Sequence, residues 1–133
     1  MIVCLDANII IYYIERNPVW EPKVSARLKA IAAAGDSLAA SDAALLECLV
    51  GPFQSGDSAI LTDYQRFFAS PDVQMLAVTP VAWHRAAQFR AAFKLKPLDS
   101  VHLASAVEHG CGLFLTNDAP LARCTAIPIE VLM

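Results

Sequence analysis

The sequence predicts an α/β fold in which a parallel sheet is covered by helices on both faces. Five short apolar segments alternate with segments whose apolar residues recur at helical spacing, an order typical of parallel sheets. Of the 133 residues, 56% are hydrophobic and only 17% are charged, which suits a sheet buried on both faces. No apolar stretch is long enough to span a membrane. The length predicts one domain over residues 1–133.

The chain begins with a predicted strand that leads into two helices. Ile2–Leu5 is a short run rich in β-branched residues, which is typical of a buried strand. Asp6 ends that strand and is a suitable N-cap for a short helix over residues 9–14. A longer helix is predicted over residues 22–34, where charged residues lie between the apolar positions, and it ends at Gly35.

A second strand and a third helix follow. Residues 37–40 predict a weak, short strand. Ser41 is a suitable N-cap for a helix over residues 42–50. Gly51 and Pro52 are expected to close that helix, because both residue types disfavour a helix interior.

The middle of the chain repeats this alternation. Apolar residues at helical spacing predict a helix over residues 58–68, and a turn containing proline separates it from a strand over residues 73–78. Thr79 is expected to cap the next helix, Pro80–Phe93, which has proline at its first position.

The last third of the chain predicts two strands and two helices. A helix over residues 99–109 is closed by Gly110. A strand over residues 113–115 follows, and then a short helix, Ala119–Arg123. The last strand is predicted over residues 127–131.

The charge balance limits how the protein could hold nucleic acid. Ten lysine and arginine residues stand against thirteen aspartate and glutamate residues, which gives a net charge of −3. Binding through bulk positive charge alone is therefore excluded. Nucleic acid stays open as a ligand if a bound metal ion neutralises part of the acidic charge.

The cysteines predict a reducing compartment. Cys4, Cys48, Cys111 and Cys124 contain no C-x-x-C pair, and two of them lie inside apolar runs. We expect them to be small core residues rather than disulfides or metal ligands. No positively charged segment precedes the first apolar run, so we expect no signal peptide and a cytoplasmic location.

Four acidic residues stand in positions that favour a shared site. Asp6 and Asp118 each follow a predicted strand, and Asp99 begins a predicted helix. Glu47 is expected in the middle of an apolar helix, where an unpartnered carboxylate is costly. Each aspartate alone could be a helix N-cap, and Glu47 could reach solvent at the helix edge. Parallel strands end at the same edge of a sheet, so the acids together predict one cluster there.

Such a cluster needs a counter-charge. Mg²⁺ or Mn²⁺ supplies one, because these hard cations prefer carboxylate oxygens and water. A metal held in this way can activate water and stabilise charge on a phosphoryl group. The pattern therefore favours metal-dependent chemistry on a phosphate ester.

Four segments, in order, resemble the PIN-domain family, and especially the VapC-like toxins of bacterial and archaeal toxin–antitoxin pairs. They are VCLDANIIIYY at residues 3–13, Ser41 with LLE at 45–47, LDSVHLASA at 98–106 and LTND at 115–118. The resemblance implies a three-layer α/β/α fold with a central parallel sheet of four to five strands. It also implies an endoribonuclease that depends on Mg²⁺ or Mn²⁺.

The resemblance also implies roles for individual residues. The residues that match the family's acidic catalytic and metal-binding quartet are Asp6, Glu47, Asp99 and Asp118. Asn8 matches a polar position that helps to hold the site, and Thr116 matches the serine or threonine that orients water or phosphate. Some relatives carry a further acid after the last aspartate, but Ala119 and Pro120 follow here, so that ligand is missing.

The implied partners are an RNA substrate, a cognate antitoxin and a second copy of the chain in a homodimer. An apolar groove for an antitoxin helix is predicted around Tyr12, Tyr13, Trp20 and Tyr64. The basic residues predicted to contact RNA phosphates are Arg85, Arg90, Lys94 and Lys96. A solvated helix face explains the same charge pattern equally well.

A second hypothesis stays open beside the nuclease, namely a PIN-like module that binds RNA or protein without cutting. His102 lies three residues after Asp99 on the same side of its helix, where it could shuttle a proton or simply support the core. No G-x-S-x-G segment and no glycine-rich phosphate loop is present, so the sequence does not support a serine nucleophile or a nucleotide phosphate cradle.

Overall fold

A computed structural model describes residues 1–133 as alternating strands and helices. The elements are β1 (Ile2–Leu5), α1 (Ala7–Ile14), α2 (Glu21–Ala33), β2 (Ser37–Ser41), α3 (Ala44–Ser55), α4 (Ser58–Ala69), β3 (Val73–Leu76), α5 (Pro80–Phe93), α6 (Pro97–Glu108), β4 (Leu113–Thr116), a 3₁₀ helix (Ala119–Arg123) and β5 (Ile129–Val131). None of these helices is long and apolar enough to cross a membrane.

The five strands form one parallel sheet in the order β3-β2-β1-β4-β5. The chain runs outward from β1 through β2 to β3, and then returns to the other side of β1 to add β4 and β5. The strand order therefore reverses between β1 and β4. Ligand sites in such sheets lie beyond the carboxyl ends of the strands at this reversal.

Apolar layers cover both faces of the sheet, so the predicted three-layer fold is confirmed. Alternate residues of β1 point to opposite faces, so Val3 and Leu5 belong to one buried cluster and Cys4 to the other. The first cluster packs against α1–α4, and the second lies under α5 and α6. Every residue from Ser100 to Ala106 is buried, so α6 is held firmly in place.

The four cysteines are free and buried, which confirms that they are core residues. Cys4 and Cys111 belong to the same apolar cluster. Hydrogen bonding to Cys111, together with burial, holds the pKa of the Cys4 thiol well above its ordinary value. Cys4 is therefore a neutral packing residue at neutral pH.

The predicted end of α3 at Gly51 and Pro52 is wrong. The helix runs on to Ser55 and ends at Gly56, whose φ of 72° lies in the left-handed region that favours glycine. Pro52 removes one helical N–H donor, but its side chain is buried, so packing holds the helix together across this position. The start also differs, because Ser41 is the last residue of β2 and α3 begins at Ala44.

Two strands are shorter than predicted. β3 ends at Leu76 because its partner strand ends at Ser41, which is paired with Leu76. β5 begins at Ile129, since Pro128 has no N–H to donate to the sheet. The predicted capping of α1 by Asp6 and of α5 by Thr79 is confirmed.

Candidate active site

Asp6 lies at the carboxyl end of the central strand and is fixed by two hydrogen bonds. Its Oδ1 accepts from the Ala7 N–H at 2.8 Å, and its Oδ2 accepts from the Thr116 hydroxyl at 2.6 Å. Only 3% of Asp6 is exposed. Burial raises its pKa above the ordinary value, although the charge of His102 and both hydrogen bonds oppose the rise. A cation beside this carboxylate would therefore be strongly stabilising.

Thr116 connects the ends of the two central strands. It is the last residue of β4 and is fully buried. Besides donating to Asp6, its Oγ1 accepts a hydrogen bond from the Asp118 N–H at 3.0 Å. Asn117 accepts from the Tyr12 hydroxyl and donates to the Leu132 carbonyl, so the loop that carries Asp118 is held from both sides.

Asp99 lies in the first turn of α6. Burial raises its pKa to about 6, and the charges of Asp6, Asp118 and Glu47 add to the rise. The carboxylates therefore interact through space, although they come from distant parts of the sequence. The structure brings together the four acids that the sequence predicted to cluster.

Glu47 differs from the expectation of a buried acid within an apolar helix. It lies in the first turn of α3, and its side chain is 29% exposed. Its Oε1 accepts a hydrogen bond from Nε2 of His102 at 3.0 Å, and the His102 side chain is only 1% exposed. Burial lowers the pKa of His102, but the Glu47 hydrogen bond and the charges of Asp6 and Glu47 outweigh it and raise the pKa overall.

The four carboxylates line an open cleft of about 510 Å³. Six of its eight lining residues are polar or charged. The lining residues are Asp6, Asn8, Glu47, Lys96, Pro97, Leu98, Asp99 and Asp118. The cleft is open and acidic, so it suits a cation and a polar, extended substrate better than a small apolar ligand.

The donor groups of this cleft fit a divalent cation. Asp6, Glu47 and His102 each offer one ligand atom, and those atoms lie within 4.8 Å of one another. The amide oxygen of Asn8 is buried without a hydrogen-bond partner. Carboxylate and amide oxygens are the ligands that hard divalent cations prefer. The structure therefore contains an acidic cluster able to hold a metal ion.

Comparison with known families agrees with the fold. The family model for the PIN domain matches residues 3–126 of the sequence, which is most of the chain. The chain belongs to the PIN domain family. A comparison with curated proteins gave no match.

Solved structures of PIN proteins share the whole architecture of this PIN domain. VapBC2 from Rickettsia felis, bound to a promoter DNA fragment, gives a TM-score of 0.81 at 17% identity, with 98% of each chain covered. A toxin–antitoxin complex from Klebsiella pneumoniae gives 0.75 at 18% identity, also covering 98% of each chain. VapC20 from Mycobacterium tuberculosis, a sarcin-ricin loop cleaving toxin, gives 0.71 at 14% identity, covering 90% of this chain and 92% of that one. At these low identities, it is the TM-scores that establish a shared fold, and the fold alone.

The basic residues predicted to contact RNA do not all line the same cleft of this PIN domain. Lys96 lines the acidic cleft. Arg90 and Lys94 line a separate groove near the carboxyl end of α5, where Arg90 Nε donates to the Leu95 carbonyl at 3.2 Å. Arg85 lies earlier on α5 and lines neither. These residues are close together in the sequence, and that closeness does not indicate that they line different clefts.

The predicted aromatic groove is wrong at Tyr64. This residue is fully buried, and its hydroxyl donates to the Glu15 carboxylate. Tyr12 stacks on Trp20 with ring centroids 5.8 Å apart. Exposed apolar side chains gather instead on one face of α3, where Leu46, Val50 and Phe53 lie beside the half-buried Leu45 and Leu49; we call these five residues the α3 face.

Proposed function

We propose that this PIN domain is a metal-dependent endoribonuclease that hydrolyses RNA phosphodiester bonds. The observation that carries the proposal is the convergence of four carboxylates in one open cleft. These four like charges lie close together, and burial, with the charges of Asp6, Asp118 and Glu47 adding to it, raises the pKa of Asp99 to about 6. Four carboxylates that repel one another are stabilised when a bound cation neutralises part of their charge.

We assign the metal ligands to the predicted quartet, Asp6, Glu47, Asp99 and Asp118, and the ion to Mg²⁺ or Mn²⁺. When bound, such an ion stabilises negative charge on a phosphoryl oxygen and makes water a better nucleophile. Asp6 offers a carboxylate already oriented by Ala7 and Thr116. Asn8 contributes its unpartnered amide oxygen to the same cleft. Thr116 holds Asp6 and the Asp118 backbone in register, rather than contacting substrate itself.

The proposed substrate is a single RNA strand that crosses the open cleft. A carboxylate of the quartet accepts the proton of the attacking water, and the products carry a 5′-phosphate and a 3′-hydroxyl, as the family resemblance implies. Lys96, at the rim of the cleft, offers a positive charge to a backbone phosphate. The net charge of −3 makes such local contacts more important than overall attraction.

Replacing Lys96 tests the RNA contact. We expect Lys96→Gln to weaken RNA binding in EDTA and to reduce the slope of log affinity against log salt by about 0.7, the value for one phosphate of a single strand. Lys29→Gln, an exposed lysine on α2, is the matched control and should leave the slope unchanged. An unchanged slope in Lys96→Gln, measured by fluorescence anisotropy, would contradict this contact.

The proposed protein partners follow from the structural similarity to solved toxin–antitoxin complexes. The Rickettsia felis and Klebsiella pneumoniae structures contain toxin and antitoxin together, so we propose that this chain is a cytoplasmic toxin with a cognate antitoxin. We also propose a homodimer. The α3 face supports a protein contact, because its apolar side chains are unusually exposed.

A charge on the α3 face tests the homodimer. Phe53 is 66% exposed, and we expect Phe53→Glu to convert a dimer into a monomer, because the glutamate would be buried without a partner at the interface. Gln65→Glu, an exposed residue of α4, is the control. Light scattering after size-exclusion chromatography measures the mass. A dimer that survives Phe53→Glu would place the contact elsewhere.

The competing function is a PIN module that binds RNA or protein without cutting. Cleavage of total cellular RNA by the purified chain distinguishes the two, with Mn²⁺, Mg²⁺ or EDTA present. The nuclease predicts discrete fragments that need the metal and disappear in Asp99→Asn. Equal fragments in EDTA, or full activity of Asp99→Asn, would exclude this mechanism.

A further inference from the structure

His102 is the buried polar residue of the site that the proposed chemistry leaves without a role. It follows Asp99 by one helical turn of α6, and six of its neighbours on that helix are also buried. Its imidazole therefore has little freedom to move. A carboxylate can only accept hydrogen bonds, so the 3.0 Å contact means that His102 Nε2 donates to Oε1 of Glu47.

We propose that His102 is a positioning residue that holds the Glu47 carboxylate at the metal cleft from behind, and that it is not itself a metal ligand. This inference rests on the proposed metal-dependent function. Glu47 has several rotatable bonds, is 29% exposed, and lies near three other carboxylates that repel it. A fixed donor on the neighbouring helix keeps its side chain turned inward.

The geometry favours positioning over ligation. Glu47 lines the cleft, whereas His102 does not. The Nε2 atom that could bind metal already donates to Glu47, and Nδ1 is buried without any partner. For His102 to ligate an ion, its Nε2 would have to give up the hydrogen bond to Glu47, and its side chain does not line the cleft.

The contact joins two elements that are distant in sequence. Glu47 and His102 are 55 residues apart, one in the first turn of α3 and the other on α6. No side chain caps the start of α3, and the Ser41 hydroxyl, which accepts from the Ala43 N–H at 3.1 Å, restrains the backbone there but not the Glu47 side chain. Residues that orient a metal ligand through a hydrogen bond typically change metal affinity by about 10- to 100-fold when they are replaced.

Two substitutions of His102 separate positioning from metal ligation. His102→Leu removes the hydrogen-bond donor and puts an apolar side chain of similar bulk in its place, whereas His102→Gln keeps an N–H donor. We expect His102→Leu to weaken Mn²⁺ binding by about 10- to 100-fold, and His102→Gln to restore most of the affinity. His109→Leu is the control, because His109 bonds only the Ala77 carbonyl outside the cleft.

The affinities are measured by calorimetry on the full chain, with folding checked by circular dichroism. Pulsed electron paramagnetic resonance of bound Mn²⁺ gives a second readout, and we expect no directly bonded nitrogen in the unaltered chain. A bonded nitrogen that vanishes in both His102 variants would make His102 a ligand and overturn the inference. So would unchanged affinity in folded His102→Leu. If the unaltered chain binds no Mn²⁺, the proposed function fails and the inference fails with it.

Discussion

Asp99→Asn is expected to make the metal-free protein more stable and at the same time to abolish RNA cleavage. Burial and three neighbouring carboxylates raise the pKa of Asp99 to about 6, so ionising it in the folded chain is unfavourable. Asp99 makes no side-chain hydrogen bond that asparagine would lose. After allowance for its partial exposure, we expect a gain of about 1–2 kcal/mol at pH 7.

The pH dependence of this gain follows from the sign of the shift. A carboxyl group whose pKa is higher in the folded chain than in the unfolded chain destabilises the fold at high pH, where it is ionised in both states. That penalty disappears as the pH falls through about 6 towards the unfolded value of about 4. The stability advantage of Asp99→Asn should therefore shrink on acidification.

Added Mn²⁺ should reverse the order of stability. A metal that binds only the folded chain stabilises it by about 2.7 kcal/mol when its concentration is 100 times the dissociation constant. The unaltered chain gains this energy, whereas Asp99→Asn lacks a ligand. Thermal unfolding with Mn²⁺ or EDTA measures both effects. Asp63→Asn, on the exposed face of α4, is the control, and an unaltered chain that melts at the same temperature with and without Mn²⁺ would refute the prediction.

Thr116→Val is expected to cause the second large effect. The Thr116 hydroxyl, fully buried, donates to Asp6 Oδ2 at 2.6 Å and accepts from the Asp118 N–H at 3.0 Å. Valine has the same shape and leaves both groups without this partner. We expect a loss of about 2–4 kcal/mol, because one of the two groups is a buried charge.

Cleavage should fall by about 10- to 100-fold in the same variant, since Asp6 and Asp118 would lose the group that aligns them. The pKa of Asp6 should rise further, because the Thr116 hydrogen bond lowers it. Thr116→Ser keeps the hydroxyl and should retain most of the activity. Chemical denaturation and initial cleavage rates provide the two measurements, with the exposed Thr125→Val as a control. Unchanged rates in Thr116→Val would show that this hydroxyl does not align the site.

The sheet and its acidic edge could be predicted because both follow from local patterns. Short apolar runs predicted all five strands, and a polar residue directly after a parallel strand must lie at the carboxyl edge of the sheet. That rule places Asp6 and Asp118 at the same edge from the sequence alone. The N-caps at Asp6 and Thr79 follow from equally local chemistry.

Features that depend on packing between distant segments could not be predicted in this way. Helix α3 continues through Pro52 because the residue is buried against its neighbours, and propensity alone indicates a stop. Tyr64 lies on the apolar face of its helix and was predicted to line an open groove, yet it is fully buried. The contact of His102 with Glu47 joins two helices with no sequence pattern between them. The only indication in the sequence that His102 belongs to the site is its position one helical turn after Asp99.

Calorimetric titration with Mn²⁺ tests most directly the claim that the four carboxylates form a metal site. The titration compares the unaltered chain with Asp99→Asn and with the control Asp63→Asn. We expect binding of Mn²⁺ to the unaltered chain and to Asp63→Asn, and no detectable binding to Asp99→Asn. Equal binding by all three chains, or none by the unaltered chain, would contradict the claim that this cleft holds a divalent cation.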